Sequence, residues 1–394
     1  MITRSTTSDV LIVGGGPAGS TCAWKLRERG VDAQILDRAT FPRDKVCAGW
    51  ITPEVVESLQ LDLNGYHQRR VLQPIRSFRV GVLNRRPQRE QRRSHESPDV
   101  VRVDYDEPVS YGIRRCEFDE YLLRRCEVPV HEGVRIRSLE RHDGTWLVND
   151  EFRARLLIGA GGHFCPIARH LRAKIDVADS QPVVMAQEAE FELSGCAARE
   201  CRIEPGIPEL FFYPDLKGYA WCFRKENWLN IGLGREGEQH LSHWRDDFVN
   251  WLIESERIAQ PPAVPFKGHA YRLNMKTSLP VAGDGILLIG DSAGLAGSRS
   301  GEGIRPAIES ALLAATSIAG TDDFEEAANC YGRKLRQQLP GDSAGWLPLI
   351  PLVVRAWLAR TMLTNQRFVR RVVLDDWFLN RTKTLISALR SGTS

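Results

Sequence analysis

Gly14, Gly16 and Gly19 stand in a G-x-G-x-x-G spacing, and Asp37 follows Gly19 by 18 residues. Those residue types at those distances suit one task, holding a diphosphate-linked nucleotide. Gly14 makes a tight turn, Gly16 lets the backbone approach a pyrophosphate, and Gly19 lets a helix touch a strand. Pro17 and Ala18 complete the cradle at the helix start, where N–H groups and a partial positive charge attract phosphate. Asp37 can accept from a ribose diol and repels a 2′-phosphate, so the pattern fits FAD or NAD and not NADP. Arg38 follows it directly. A second set of reactive positions lies in "GILLIGDSAGLAGSRSGEGIRPAIESALLAA" (285–315). There Gly290-Asp291 ends an apolar run, and Gly301, Gly303 and Ile304 open a helical pattern. That second positive helix end suits negative charge on a reduced flavin, and Asp291 suits ribityl hydroxyls. An extended cofactor, with a diphosphate at one end and an electron-accepting ring at the other, uses both sites.

Positioning these residues requires particular elements. Residues 10–13 read as a buried parallel strand, 20–29 as a helix stopped by Gly30, and 33–36 as a second strand. Residues 156–158 run into Gly159, Gly161 and Gly162, but the third glycine of a cradle is missing, so no second complete nucleotide domain is expected. The strand ahead of Gly290 spans 286–289, and Pro306 is tolerated in the first turn of the helix after it. Strands are also expected at 183–193, 208–213, 219–224 and 228–233, with a hairpin turn at 225–227. In "GYAWCF" (218–223), Tyr219, Trp221 and Phe223 alternate and share one face of the sheet. Leu229, Ile231 and Leu233 alternate on the returning strand. Spacing alone leaves open whether the aromatic face is ordinary sheet core or the wall of an apolar slot.

The 394 residues, 42% of them apolar, are enough for one large domain or two interlocked ones. A formal charge of +3 does not point to nucleic acid. Basic residues cluster in 84–99, read as a solvated loop, with an acidic partner or anionic lipid as the alternative. Nine cysteines without a CxxC pair argue for reduced thiols in a cytoplasmic protein and against a metal site. No apolar run is long enough to span a bilayer.

Taken in order, GGGPAG, the Gly161-Gly162 element and "GD…GEGI" resemble FAD-dependent oxidoreductases of the para-hydroxybenzoate hydroxylase fold over most of 8–320. Within that group, "FPRDKVCAGWITP" (41–53) and "GYAWCFRKENWLNIGLG" (218–234) resemble the geranylgeranyl reductase branch. Lys45, Cys47 and Gly49 match its K-x-C-G-G-like element, and Tyr219, Trp221 and Phe223 match its Y-x-W-x-F-P element. The resemblance implies an α/β fold, with a Rossmann-like FAD-binding domain (1–80, 100–175 and 275–320) interleaved with a mixed-sheet substrate domain (81–99 and 176–274). A helical C-terminal region, 321–394, follows. It also implies that Arg115, Lys45, Cys47, Ala48 and Gly161 join the cofactor site, and that the aromatic face is the wall of a substrate pocket. Cys47 reads as a small polarisable residue beside the flavin, with a catalytic or gating role as the alternative. Three departures stand out: Gly161 replaces an Asp, Arg224 replaces the Pro after Phe, and Ser298 replaces a loop Pro.

The expected function is reduction of a carbon–carbon double bond in a hydrophobic, isoprenoid-like substrate by reduced flavin. The candidate pocket residues are Cys47, Tyr219, Trp221 and Phe223. With no Rossmann domain left for NADH or NADPH, that donor visits transiently, or a redox protein supplies the electrons. A flavin-dependent hydroxylase is the alternative; a halogenase ranks below it, because no Trp-x-Trp-x-x-Ile-Pro element is present. A flavin-bound interaction protein without turnover is a third reading. Residues 345–378 mix Leu, Trp and Val with Arg, and read as a helical cap over the pocket or as a peripheral membrane contact.

Overall fold

A computed structural model describes residues 6–83, 100–173, 183–237, 240–272, 279–297, 300–338, 352–379 and 381. The basic 84–99 segment, Ser298 and residues 345–351 lie outside them.

The chain builds an eight-stranded sheet whose centre is parallel. Thr6–Val13 lies between Phe152–Gly159 and Ala33–Asp37, and Ile286–Leu288 pairs in parallel with the far side of Phe152–Gly159. Val10, Ile12, Leu156, Leu157, Ile158, Leu287 and Leu288 are all buried, as parallel strands covered on both faces require. Helix Pro17–Glu28 connects the first two strands and packs against helix Ile304–Ile318. Helix Phe324–Gln338 packs beside them, and its Tyr331 hydroxyl donates to the Leu288 carbonyl at 2.7 Å.

A seven-stranded sheet runs in the order Lys267–Arg272, Val183–Glu192, Trp228–Glu236, Gly218–Lys225, Glu209–Phe212, Ser77–Val82 and Val100–Asp104. All its pairings are antiparallel except Glu209–Phe212 with Ser77–Val82. The four strands expected from alternation are present, and the hairpin narrows to Glu226-Asn227, with Glu226 at φ +51°. Ser77–Val82 and Val100–Asp104 also join this sheet, although the resemblance groups 1–80 and 100–175 with the nucleotide-binding part. A short apolar run on each side of a basic segment carries no signal for which sheet it will join.

Each face of the seven-stranded sheet has its own cover. Ala220, Cys222, Leu229, Ile231 and Leu233 face helix Ser242–Glu254 through Phe248 and Leu252. Trp221 and Phe223 face Phe78, Leu210 and Phe212 together with Val369, Val373, Leu374 and Phe378. The latter belong to the π-helical stretch Val369–Phe378, which lies across the aromatic face. Within the 345–378 region, Val369–Phe378 packs on that face, whereas Trp357 and Met362 are exposed. Among the described residues, no helix is long and apolar enough to cross a membrane.

Candidate flavin and substrate site

The parallel strands place Val13, Gly159 and Leu288 side by side at one edge of the eight-stranded sheet. The loops that follow Thr6–Val13, Ala33–Asp37 and Ile286–Leu288 at this edge carry Gly14, Arg43 and Asp291, as open α/β sheets lead one to expect.

The glycines of the cradle have separate duties. Gly14 has φ +117°, and a Cβ there would lie 2.4 Å from the Ala160 carbonyl oxygen. A Cβ on Gly19 would lie 1.8 Å from the Gly14 backbone oxygen, so helix and strand meet only because Gly19 has no side chain. Gly16 differs: a Cβ there would meet only the Arg43 guanidinium, 3.1 Å away, so Arg43 lies over the cradle. Gly161 packs against Cys165 behind the turn. Asp37 braces the cradle, accepting from the Gly15 amide at 2.7 Å with one oxygen and from the Ala39 amide at 2.8 Å with the other. A carboxylate has acceptor capacity left after two such bonds. Arg38 is exposed beside it.

Gly290 joins the two distant motifs. Its φ is +59°, and a Cβ would stand 3.2 Å from both Ala18 and Ala307, one on each of the two packed helices. Its amide donates to the Ser310 hydroxyl at 3.0 Å. The Asp291 carboxylate lies over Gly303, 3.1 Å from where a Cβ would project, just ahead of Ile304. Neither helix start, at Pro17 or at Ile304, has a side-chain cap or an acidic residue in its first turn. Their orphan N–H groups are therefore available to an anion.

Between the two helix starts lies a group of enclosed charges. Arg115 forks onto Asp119 with two bonds of 2.9 Å, Arg43 reaches the same carboxylate at 3.3 Å, and Arg115 also reaches the Cys47 side chain. Burial lowers the Lys45 ammonium to about 8; Asp291 opposes the shift, while Arg115 and Arg43 add to it. Lys45 hydrogen-bonds His269, whose imidazole is pushed down to about 3 by burial and by the Lys45 charge, and so stays neutral. Three cations against Asp119 and Asp291 leave a surplus of positive charge, which fits a diphosphate-bearing flavin nucleotide. Arg43, His269 and Tyr271 escaped the sequence reading; for Arg43 a signal existed in the basic "FPRDK" ahead of Cys47.

Tyr219, residues 300–302, Tyr271 and Cys47 come together beside these charges. Tyr219 donates to the Ser300 carbonyl at 2.6 Å, and burial raises its phenol well above the usual range, with Tyr271, Cys47 and Glu302 as neighbouring groups. Gly301, at φ +70°, must be glycine because a Cβ would lie 2.3 Å from the Tyr271 hydroxyl. Glu302 is partly buried, and burial raises its carboxyl to about 8 against the opposing charge of Arg305, with Glu309 and Glu54 adding to the rise. The aromatic row is not uniform. Phe223 is fully buried and meets the Trp50 ring edge-on at 6.1 Å, while Tyr219 borders the converging loops and meets Phe378 at 5.2 Å. Trp221 lies between them, over Gly232, where a Cβ would stand 2.3 Å from its ring. Arg224, in place of the expected Pro, donates to the Glu226 carbonyl at 3.0 Å. Ala48 packs at the edge of the same aromatic cluster. Among the described residues, no group of three or more His, Cys, Asp or Glu side chains could hold a metal ion.

Comparison with known proteins agrees with this geometry. The chain is 24% identical to a digeranylgeranylglycerophospholipid reductase of Methanocaldococcus jannaschii over 84% of its length and 82% of the relative's. It is 28% identical to a menaquinone reductase of Mycobacterium tuberculosis over 80% of its length and 78% of the relative's. A solved geranylgeranyl bacteriochlorophyll reductase-like protein of Thermoplasma acidophilum aligns with a TM-score of 0.73 at 17% identity, covering 98% of this chain and 99% of that one. Flavin-dependent halogenases and a monooxygenase share the fold at TM-scores from 0.62 to 0.69. Residues 7–321 match the family described as FAD binding domain, and on that match, which takes in both glycine-lined strand ends and the sheet between them, the chain belongs to this family of flavoproteins.

Proposed function

We propose that the protein is an FAD-dependent oxidoreductase that saturates a carbon–carbon double bond in a hydrophobic, isoprenoid-like substrate. One observation carries the reading: Tyr219, at the end of a buried aromatic row, donates to the Ser300 carbonyl in the loop ahead of the Ile304 helix start, with Cys47, Tyr271 and Glu302 as neighbouring groups. The names of the related reductases support it. FAD, when bound, supplies a hydride from its reduced ring. Gly14, Gly16 and Gly19 with Arg43 hold the diphosphate, and Asp37 and Arg38 flank the adenosine ribose. Lys45, Arg115, Gly290, Asp291, Gly301, Gly303 and Ile304 line the remainder. Tyr219 and Trp221 orient the apolar chain and keep water from the reacting carbons.

Saturating a double bond takes a proton as well as a hydride. Glu302, raised to about 8, holds its proton at neutral pH beside Tyr219 and is the group we assign to donate it. NADH or NADPH serves as a transient donor, with a redox protein as the other source of electrons. The substrate reaches the site from a membrane surface touched by helix Leu352–Leu363, where Trp357 and Met362 are exposed. The test is an anaerobic single turnover of photoreduced holoenzyme with a geranylgeranyl-bearing lipid, followed by mass spectrometry. A product two mass units heavier, with no oxygen from labelled dioxygen when air is admitted, supports reduction. Label in the product establishes the hydroxylase instead.

A further inference from the structure

Two carboxylates on one strand, Glu188 and Glu190, enter the same buried region from Val183–Glu192. Facing them are Lys225 and Asn230, both fully buried, on the two strands of the aromatic hairpin. The Asn230 carbonyl accepts from the Trp221 indole N–H at 2.7 Å. An indole nitrogen only donates, so this bond fixes which way the amide points. The Asn230 amide nitrogen is thereby directed to the Cys47 carbonyl at 3.2 Å, to Glu190 at 3.3 Å and to Glu188 at 3.4 Å.

Cys47 is held at both ends of its own backbone. Its N–H donates to Glu188 Oε2 at 2.5 Å, and its carbonyl accepts from Asn230. Lys225 grips the next turn of chain, donating to the Ala48 carbonyl at 3.2 Å, to Ile113 at 3.0 Å and to Glu190 at 2.6 Å. Gly49 follows at φ +75°, where a Cβ would lie 2.4 Å from the Ile113 oxygen. The bonds that hold residues 47–48 to the sheet thus come from the side chains of Glu188, Asn230 and Lys225, all three buried.

We infer that Glu188 and Asn230 are positioning residues that lock Cys47 to the Trp221 ring, so that the cofactor-side loop and the aromatic wall move as one piece. This rests on the site proposed above only in giving the lock a purpose; the lock itself is tested without substrate or turnover. Glu188 serves best as a neutral acceptor. Burial and the adjacent Glu190 raise its carboxyl to about 8, against Cys47 N–H, Lys225 and Asn230. The other charges around it are engaged elsewhere: Arg114 contacts Glu190 and Glu117, and Lys267, on the neighbouring strand, pairs with Asp44.

The experiment measures iodoacetamide labelling of individual cysteines in FAD-saturated protein at pH 7 by mass spectrometry. Cys22, fully buried, reports global unfolding, and Cys196, exposed, reports reagent access. Glu188→Ala and Asn230→Ala raise the Cys47 labelling rate roughly tenfold, as expected when a buried N–H or carbonyl loses its partner. Cys22 and Cys196 keep their wild-type rates. Glu188→Gln, which retains the acceptor oxygen, stays within about twofold of wild type. Trp221→Phe removes the indole donor while keeping an aromatic ring on that face; it raises the Cys47 rate, with Cys22 reporting any general loosening, and provides the same test if Glu188→Ala unfolds. An unchanged Cys47 rate in the alanine and Trp221→Phe variants overturns the inference, and so does a Glu188→Gln rate equal to that of Glu188→Ala.

Discussion

Replacing Glu188 by Gln should make the protein more stable in alkaline solution and leave it unchanged in acid. Glu188 is only 8% exposed, and its carboxyl stands at about 8 in the folded chain against an ordinary 4.5. Near pH 4.5 and below, folded and unfolded chains both keep the proton, and the residue adds no pH dependence. Between pH 4.5 and about 8 the unfolded chain releases its proton while the folded chain retains it, so stability falls as pH rises. Above that window the wild type carries the full penalty, on the order of 5 kcal/mol for a rise of this size. Gln has nearly the same shape and never ionises. Thermal unfolding of FAD-saturated wild type and variant, followed by flavin fluorescence from pH 4.5 to 9, should give coincident midpoints in acid. At pH 9 the variant should melt roughly 5–10 °C higher. Parallel curves over the whole range, or a variant that is weaker at pH 9, would show Glu188 ionised in the fold. The reasoning about burial beside Glu190 would then be wrong.

Three other substitutions test separate parts of the structure. Gly19→Ala places a Cβ 1.8 Å from the Gly14 oxygen, so the purified protein should lose its flavin absorbance near 450 nm, and added FAD should not restore it. Glu302→Gln removes the proposed proton donor and should slow substrate reduction by about 10²–10⁴-fold while flavin reduction by the external donor keeps its rate. Phe378→Ala empties a site against Tyr219, Phe212 and Trp50 and should cost about 3–5 kcal/mol in unfolding free energy, read by denaturant titration.

The nucleotide cradle was legible in the sequence because its logic is local. Three glycines, a helix and an acid fall within thirty residues, and each has a steric reason to be what it is. The second glycine-lined strand end was legible for the same reason, and Gly290 meeting both Ala18 and Ala307 is the contact that joins the two motifs. Alternation located the aromatic strand but not its cover. That came from Val369–Phe378, about 150 residues later, and no periodicity links the two. The Cys47 lock was missed because its members are spread over three strands, and two glutamates in a strand read as a solvated edge. One signal was available: Lys225 continues the row of Tyr219, Trp221 and Phe223 at the next alternate position, and a charge in an aromatic row demands a buried partner. Glu302 carries no signal of its own in the sequence, because only burial separates it from a surface carboxylate.

The π-helical cover carries a consequence for synthesis. The flavin-gripping elements are complete once helix Ile304–Ile318 has emerged, whereas Val369–Phe378 is translated about fifty residues later. A chain stopped between those points would have the means to take up the cofactor but would show Trp221, Phe223 and Phe212 to water. Such a product should be yellow and prone to associate through that bare aromatic surface.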